Sequence, residues 1–220
     1  MIIAIDGPAA SGKSSTASAV AKEMNILHID TGSMYRAVTI GLIRNGISFL
    51  NKKKIKSFLN ELTIDFIYGL HPTKIILSGT DVTDEIRSPI VTRNVSEVSA
   101  IKIVRDKMVS LQRRVALNQD CILDGRDIGT IVFPTADFKF YLEASIEIRA
   151  SRRINELNKK NKYNISEMVK EIAIRDEFDS TRKNSPLIKA EDAILIDTSL
   201  ITFEEQINKI INIINKNKEH

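Results

Sequence analysis

Short apolar runs alternate with longer amphipathic stretches along most of the 220-residue chain. The runs have the length and the continuous hydrophobicity of strands buried on both faces of a parallel sheet, and they read "IIAI", "ILHID", "CILDGRD", "FKFYLEA" and "AILIDTS". A helical pattern precedes or follows each run. This alternation predicts an α/β fold in which a doubly wound parallel sheet of about five strands forms the core.

The helical stretches place apolar residues three or four positions apart. The first such stretch puts Ala17, Val20, Ala21 and Met24 on one face, and "SMYRAVTIGLIRNGI" predicts a helix that ends at the Asn45-Gly46 stop signal. A third stripe predicts one long amphipathic helix whose core face carries Val98, Ile101, Val104, Met108, Leu111 and Val115. The tail "FEEQINKIINIINKNKEH" predicts an amphipathic terminal helix.

Two segments depart from the alternation. At about 63–83, "TIDFIY", "KIILSG" and "TDV" predict a small antiparallel β insert of three strands, in which "GLHPT" forms a turn. Later, an arginine-rich helix leads through the polar turn "NKKNKYN" into a second helix. The first helix carries Arg149, Arg152 and Arg153, and the second ends with Arg175, Asp176, Asp179 and Arg182. These clustered arginines suggest an anion site.

Composition excludes several classes of protein. The chain is 43% hydrophobic and 27% charged, as in ordinary globular proteins, and it has no apolar run near the roughly 18 residues that a membrane span needs. The first apolar run meets Asp6 and Gly7 too early for a signal peptide. The single cysteine, Cys121, excludes an intrachain disulfide and is typical of a small buried hydrophobe, which favours a cytoplasmic location.

The segment "GPAASGKS", Gly7 to Ser14, has the spacing of a phosphate-binding P-loop between a strand and a helix. In such a loop, backbone N–H groups and the positive end of the helix dipole surround a phosphate. We expect Lys13 to bridge the β- and γ-phosphates of ATP, and the Ser14 hydroxyl to bind Mg²⁺. The predicted ATP contacts are Gly7, Pro8, Ala9, Ala10, Ser11, Gly12, Lys13, Ser14 and Ser15.

Charged residues also follow two other predicted strands. In an open α/β sheet the carboxyl ends of the strands face the ligand crevice, so Asp124, Arg126 and Asp127 of "LDGRDIGTIVFP" are expected beside the phosphates. We expect Asp124 to hold Mg²⁺ through water and Arg126 to neutralise the transferred oxygens. A surface turn with ion pairs is the alternative interpretation. The segment "DTGSMYR" brings Tyr35 and Arg36 to the same kind of position.

The motifs "GPAASGKS", "DTGSMYR", "DGRDIGTIVFP" and "RDEFDSTR", in this order, resemble those of bacterial cytidylate kinase along essentially the whole chain. The resemblance implies a monomeric nucleoside monophosphate kinase that uses ATP and Mg²⁺ to phosphorylate CMP or dCMP. It also implies three parts. These are a core of residues 1–31, 95–148 and 175–220, a CMP-binding lobe of residues 32–94 that includes the β insert, and a lid of residues 149–174.

The resemblance further implies the roles of individual residues. Base readers correspond to Ser96, Arg105 and Asp127, the monophosphate clamp to Arg36, Arg126 and Arg182, and pentose contacts to Tyr35, Arg175 and Asp179. Thr31 of "DTGSMYR" completes the implied CMP site. The catalytic set is Lys13, Asp124, Arg126 and the lid residues Arg152 and Arg153. One departure from the family pattern is "EFDS", which lacks an arginine often found between the two acidic positions.

Alternative functions remain open at this point. A related P-loop kinase would act on UMP, AMP or a small metabolite, and a non-catalytic nucleotide-binding regulator would bind ATP without turnover. The net charge of +4 and the lysine runs "NKKKIK" and "NKKNK" also allow a nucleic-acid binder. The lysine runs are better explained as solvated helix ends, so we expect ATP and CMP or dCMP as partners, with no nucleic acid and no membrane.

Overall fold

The computed structural model describes residues 1–67, 73–157 and 164–218. Within these ranges the strands and helices are, in chain order, β1 (Ile2–Asp6), α1 (Lys13–Met24), β2 (Leu27–Asp30), α2 (Thr31–Arg44), α3 (Lys52–Glu61), β3 (Ile64–Ile67), β4 (Lys74–Leu77), β5 (Thr80–Asp81), α4 (Pro89–Ala100), α5 (Lys102–Val115), β6 (Cys121–Gly125), β7 (Phe138–Glu143), α6 (Ile146–Leu157), α7 (Ile165–Thr181), β8 (Ile194–Asp197) and α8 (Phe203–Lys218). A short 3-10 helix spans Glu85–Arg87, and a π-helical turn spans Ile128–Val132. None of the helices in the described ranges is long and apolar enough to cross a membrane.

The chain divides into two compact units, Met1–Ile29 with Ala116–His220 and Asp30–Val115. The first unit contains the five-stranded sheet, whose strand order is β2-β6-β1-β7-β8. Strand β1 pairs in parallel with β6 on one side and β7 on the other, and β7 pairs in parallel with β8. The predicted parallel core is therefore confirmed, and all five predicted strands are present.

The register of the central strands aligns their carboxyl ends. Ile5 in β1 lies opposite Asp124 in β6, and Asp6 lies opposite Gly125. On the other side, Asp6 lies opposite Tyr141 of β7. The segments that leave β1 and β6 therefore start from the same edge of the sheet, as the sequence predicts.

Apolar side chains from strands and helices form the core of the first unit. The main cluster joins α1 and α8 to β1, β6, β7 and β8, and its buried members are Ile3, Ile5, Ala17, Val20, Ala21, Ile122, Phe140, Leu142, Ile196, Ile210 and Ile214. A smaller cluster of Ala150, Met168 and Ile172 packs α6 against α7. These two helices are those of the predicted lid, and the turn between them, at 158–163, lies outside the described residues.

The second unit contains helices and the three-stranded antiparallel sheet β3-β4-β5. The β insert is thus confirmed, while residues 69–72 of its predicted turn lie outside the described residues. Helix α2 starts at Thr31 because the Asp30 side chain accepts a 2.9 Å hydrogen bond from the Ser33 backbone N–H and caps the helix. It ends at Arg44, followed by Asn45 and by Gly46 at φ +60°.

The prediction of one long helix between Val98 and Val115 was wrong. The structure has two helices, α4 and α5, that meet at Ile101, whose φ of −69° and ψ of 117° are extended. Such a break frees backbone carbonyls, and the Arg105 Nη1 atom donates to the Ser99 carbonyl at 3.1 Å. This side-chain contact stabilises a break that apolar periodicity does not reveal.

Candidate active site

The loop between β1 and α1 has the close contacts and the backbone conformation that a phosphate-binding loop needs. Gly12 precedes α1 with φ +89°, a conformation that favours glycine. A Cβ atom at Gly7 would collide with the Leu142 carbonyl oxygen of β7. The first helical hydrogen bond runs from the Thr16 N–H to the Gly12 carbonyl at 3.0 Å. The N–H groups at the start of α1 therefore have no partner within the helix and are available to an anion.

Lys13 is the first residue of α1, and its side chain is buried at the loop. Its Nζ atom donates to the Pro8 carbonyl at 3.0 Å, and the residue is 7% exposed. Burial, together with the nearby charge of Arg126, lowers the pKa of Lys13 to about 7. A bound polyanion would add negative charge beside this lysine and favour its ammonium form.

Ser14, Asp124 and His28 form a hydrogen-bonded chain. The Ser14 hydroxyl donates to Asp124 Oδ2, and His28 Nε2 lies 2.8 Å from Asp124 Oδ1. Burial alone would raise the pKa of Asp124, but the hydrogen bond of His28, the charge of Lys13 and the bond from Ser14 hold it below its usual range. Asp124 is therefore an ionised carboxylate although it is only 2% exposed.

The Ser14 and Asp124 oxygens fit a magnesium ion that arrives with a nucleotide. Mg²⁺ prefers hard oxygen ligands and keeps several waters, so one or two protein oxygens beside substrate phosphates are enough. The described part of the chain contains no group of three or more His, Cys, Asp or Glu side chains that could form a self-sufficient metal site. The arrangement therefore suits a metal shared with phosphates.

Asp6 at the end of β1 holds the segment that follows β6. Its two carboxylate oxygens accept hydrogen bonds from the backbone N–H groups of Ile128, at 2.9 Å, and Gly129, at 2.8 Å. Burial raises the pKa of Asp6 to about 7 even though both hydrogen bonds and the Lys13 charge oppose the rise. These contacts fix the π-helical turn directly after Arg126 and Asp127.

Arginines and carboxylates from the segment after β6 and from the end of α7 meet in a buried cluster. Arg126 Nε donates to Asp179 Oδ2 at 2.9 Å, and Arg182 Nη1 lies 3.6 Å from Asp179 Oδ1. Arg182 Nη2 also lies 3.8 Å from Asp127 Oδ1. Burial alone would raise the pKa of Asp179, but the charges of Arg126, Arg175 and Arg182 lower it. The structure thus brings together five of the predicted site residues within the first unit.

The two predicted lid arginines have different surroundings. Arg152 donates from Nη1 to the Thr198 hydroxyl at 2.9 Å and from Nη2 to the Thr198 carbonyl at 2.7 Å, next to the loop residue Ser11. Arg153 instead pairs with Glu156 of its own helix at 3.0 Å. Arg152 is therefore tied to the loop after β8, while Arg153 is paired within its own helix.

The remaining predicted residues lie in the second unit. Thr31 and Tyr35 are buried in the first turns of α2, and Arg36 Nη1 donates to the Ile86 carbonyl at 3.1 Å and to the Thr92 hydroxyl at 2.9 Å. The guanidinium carbon of Arg105 lies 5.3 Å from the centre of the Tyr35 ring, within cation–π distance. Ser96 lies in α4, where its carbonyl accepts from the Ser99 hydroxyl.

Several polar contacts at this site are not predicted by the sequence. Apolar patterning places Asp6 and His28 within strands and indicates no polar contact for either. In the structure Asp6 accepts from the Ile128 backbone N–H, next to the predicted site residue Asp127, and His28 contacts the predicted site residue Asp124. The sequence places Arg149 and Asp176 on the two lid helices without indicating a contact with the P-loop, and the structure shows both in contact with it at Ala9. Arg149 lies one helical turn before Arg152, and Asp176 directly follows Arg175. This closeness to predicted site residues is the sequence feature that could have indicated their role.

Comparisons with known proteins match this chain to cytidylate kinases over nearly its full length. The model of the cytidylate kinase family matches residues 3–216. A cytidylate kinase of Fusobacterium nucleatum subsp. nucleatum is 48% identical over 219 residues, which cover 99% of each chain. Cytidylate kinases of Clostridium botulinum (strain Okra) and Halalkalibacterium halodurans are 45% and 46% identical, over 97% and 96% of each chain.

Solved structures share the fold at low sequence identity. An uncharacterised protein of Eubacterium ventriosum matches with a TM-score of 0.54 and 12% identity, over 98% of each chain. A Thermus thermophilus protein matches with a TM-score of 0.51 and 12% identity, over 99% of this chain and 97% of its own. At this identity the likeness supports the architecture alone.

Proposed function

The chain belongs to the cytidylate kinase family, and from this premise we propose that it transfers the γ-phosphoryl group of ATP to CMP or dCMP, giving ADP and CDP or dCDP. The observation that carries the proposal is the P-loop geometry, with Lys13 and Ser14 at the start of α1 and Asp124 against Ser14. The family match over residues 3–216 adds the acceptor, which a P-loop alone does not define.

We assign the ATP phosphates to the loop of residues 7–15, where the N–H groups at the start of α1 and the Lys13 ammonium are the donors. Ser14 and, through water, Asp124 would hold Mg²⁺, which neutralises charge on the β- and γ-phosphates when it is bound. The burial of Lys13 strengthens its interaction with a phosphate because few waters compete for the charge. Of the two proposed catalytic lid arginines, Arg152 is the one that approaches the loop, at the Ser11 carbonyl.

The transfer needs no covalent enzyme intermediate. An oxygen of the CMP phosphate forms a bond to the γ-phosphorus while the bond from this phosphorus to the β–γ bridging oxygen breaks, and ADP leaves with the electron pair. Lys13, Arg126 and the lid arginines Arg152 and Arg153 disperse the negative charge of the transferred group. Asp179 holds Arg126 by its Nε atom, so that the guanidinium is oriented before the substrates bind.

Recognition of CMP is assigned separately in each unit. In the first unit, Arg126, Asp127, Arg175, Asp179 and Arg182 are the proposed phosphate, pentose and base contacts. In the second unit, the proposed contacts are Thr31, Tyr35, Arg36, Ser96 and Arg105. The division of the chain into a core of residues 1–31, 95–148 and 175–220, a CMP-binding lobe of residues 32–94 and a lid of residues 149–174 belongs to the same proposal.

Cytosine presents two acceptors, N3 and O2, beside an amino donor. An arginine that donates to the acceptors and an oxygen that accepts from the amine would recognise it. Uracil offers O4 and N3–H in place of these groups, and it would leave buried polar groups unpaired. Arg105 supports this assignment because it is buried and already fixed by the Ser99 carbonyl.

We also propose that the enzyme acts as a monomer in the cytoplasm, without a nucleic-acid or membrane partner. The sole cysteine, Cys121, is buried and its pKa is raised to about 11 by burial, so it is an inert thiol of the kind expected in a reducing compartment. Light scattering coupled to size-exclusion chromatography, with and without nucleotides, tests the monomer.

A substrate panel with Mg-ATP tests the function. Release of ADP is measured by a coupled assay with CMP, dCMP, UMP, AMP and GMP as acceptors. We expect CMP and dCMP to be phosphorylated with kcat/KM values at least about 100-fold above those for AMP and GMP. Preferred phosphorylation of UMP or AMP would instead support another nucleoside monophosphate kinase, and nucleotide binding without turnover would support a regulator.

A further inference from the structure

The peptide groups on either side of Ala9 are held from outside the P-loop. Asp176 Oδ1 accepts a 3.0 Å hydrogen bond from the Ala9 backbone N–H, and Arg149 Nη1 donates a 3.1 Å hydrogen bond to the Ala9 carbonyl. Arg149 Nη1 also pairs with Asp176 Oδ2. A single ion pair thus contacts both the donor and the acceptor of one loop residue, and we call Arg149 and Asp176 the Ala9 clamp.

The Arg149 side of the Ala9 clamp is buried and well connected, whereas the Asp176 side chain is 20% exposed. Arg149 is 7% exposed, and its Nε atom donates to the Ala144 carbonyl after β7 at 3.0 Å. A planar guanidinium with several donors in fixed directions suits this task, because one side chain satisfies a carboxylate and two carbonyls together. Lysine would provide the charge without the geometry.

The clamp connects the loop to both arginine-bearing helices. Arg149 lies in α6 one turn before Arg152, and Asp176 lies in α7 directly after Arg175 and three residues before Asp179. A shift of either helix would therefore be transmitted to the Ala9 peptide. The packing of Ala150 on Met168 and Ile172 holds the same two helices together beside the clamp.

The residue after Ala9 gives a reason for such a contact. Ala10 has φ +59°, a left-handed conformation that is uncommon for a residue with a side chain. Such conformations persist where the surrounding structure enforces them. The two hydrogen bonds at Ala9 fix the chain just before this position.

We infer that Arg149 and Asp176 are positioning residues for ATP binding: they hold the P-loop in its phosphate-binding conformation through the Ala9 peptide. The inference rests on the proposed function in one respect, that ATP is the phosphoryl donor. Neither side chain is assigned to a substrate. Their effect is expected on ATP, and only weakly on CMP.

The experiment uses the full chain with Asp176→Asn and with Arg149→Lys. Asp176→Asn keeps the shape and an acceptor for the Ala9 N–H but loses the charge, and Arg149→Lys keeps the charge but loses the fork. Asp192→Asn is the matched control, because it removes the charge from another ion pair of the same unit, with Lys139 at 2.7 Å, away from the loop. The readouts are KM for ATP, KM for CMP, kcat, and the dissociation constant of a fluorescent ADP analogue (mant-ADP) without CMP.

We expect Asp176→Asn and Arg149→Lys each to raise KM for ATP and the dissociation constant of mant-ADP by roughly 10-fold, on the scale of one lost charge-assisted hydrogen bond. KM for CMP should change little, and Asp192→Asn should bind mant-ADP like the wild type. Because the clamp acts as a unit, the effects of the two substitutions should not add. The dissociation constant of mant-ADP for the double variant should be at most about twice that for the single variant that binds mant-ADP more weakly.

Unchanged mant-ADP binding in both single variants, or an equal rise of the two KM values, would overturn the inference. If a single variant fails to fold, Arg149→Met combined with Asp176→Leu replaces the partly buried pair by apolar side chains, which proteins often tolerate. This double variant must then fold and still bind mant-ADP weakly. A wild type that does not phosphorylate CMP would refute the proposed function alone, since the mant-ADP titration would still test the clamp.

Discussion

Arg126, just after β6, donates from Nε to Asp179 of α7 at 2.9 Å, and the carboxylate that accepts this bond is 3% exposed. Asp179 also lies 3.6 Å from Arg182 Nη1, so one buried carboxylate holds two of the proposed phosphate-binding arginines. These arginines keep the pKa of Asp179 low despite its burial. The carboxylate therefore orients them without a proton equilibrium near neutral pH.

Arg126→Ala should lower kcat for CMP phosphorylation by at least about 100-fold, which is the scale of losing one preorganised donor to a developing charge. Arg126→Lys should recover only part of this loss, because lysine cannot keep the directed bond to Asp179. Steady-state rates at saturating ATP and CMP measure both effects. Arg87→Ala, which removes an exposed arginine of the 3-10 helix, is the control and should leave kcat unchanged. Near wild-type turnover of Arg126→Ala would contradict the role.

The strands and the P-loop could be predicted because their signals are local. Continuous apolar runs define β1, β6 and β7, and the glycine spacing places the loop between β1 and α1. The rule that the ends of parallel strands share one edge is enough to place Asp124 and Arg126 near that loop from the sequence alone. The contact between Ser14 and Asp124 agrees with this expectation.

Other features depend on contacts between distant residues and leave no local pattern. The break at Ile101 interrupts a stripe that is apolar throughout, and a side chain four residues later, Arg105, satisfies the Ser99 carbonyl there. For helix α3 only a solvated helix end was predicted, at the lysine run "NKKKIK", and its bounds were not, since only Ile55 and Leu59 are buried along it. The Ala9 clamp joins residues 140 and 167 positions away from Ala9.

Asp124→Asn should raise the Mg²⁺ concentration that gives half-maximal velocity by about 10-fold, because the amide keeps the shape of the carboxylate but loses the charge that attracts the ion. Initial rates at fixed ATP and CMP over a range of free Mg²⁺ measure this shift. Asp106→Asn removes the charge from an exposed ion pair with Lys102 and should not alter the Mg²⁺ requirement. An unchanged requirement in Asp124→Asn would exclude a metal role for this residue.

ATP binding should weaken as the pH rises above about 7, because burial lowers the pKa of Lys13 to about 7 in the free protein. Below this pH the ammonium is already charged, so binding takes up no proton at Lys13. Above this pH, ATP binding must protonate Lys13. The association constant for ATP should then decrease with pH, by a factor that approaches about 10 per pH unit. Calorimetric titrations at pH 8 in two buffers of different ionisation enthalpy should show an uptake that approaches one proton per ATP.

Lys13→Met provides the comparison for this titration. The γ-phosphate of ATP has its own protonation, which is the same for both proteins, so the difference between them reports Lys13. We expect Lys13→Met to bind ATP more weakly and to lose the extra proton uptake. The same uptake in both proteins would show that another group carries the pH dependence.

The buried carboxylate of Asp6 should make stability fall as the pH rises from about 4 to about 7. Its pKa is raised from 3.8 in the unfolded chain to about 7 in the folded protein, so between these values the folded state binds more protons than the unfolded state. The stabilisation that protonated Asp6 contributes is fully present below the pKa of this group in the unfolded chain. It is lost as the pH rises through about 7, the pKa of Asp6 in the folded protein. The slope can reach about 1.4 kcal/mol per pH unit.

Asp6→Asn isolates this contribution. The amide oxygen can accept from only one of the Ile128 and Gly129 N–H groups, and this loss does not change with pH because the amide does not titrate. That loss is a constant offset, whereas the proton linkage changes with pH. Urea unfolding at pH 4.5, 5.5, 6.5 and 7.5 should therefore show that the stability advantage of the wild type over Asp6→Asn shrinks steadily as the pH rises. A constant difference across this range would mean that Asp6 keeps an ordinary pKa in the folded protein.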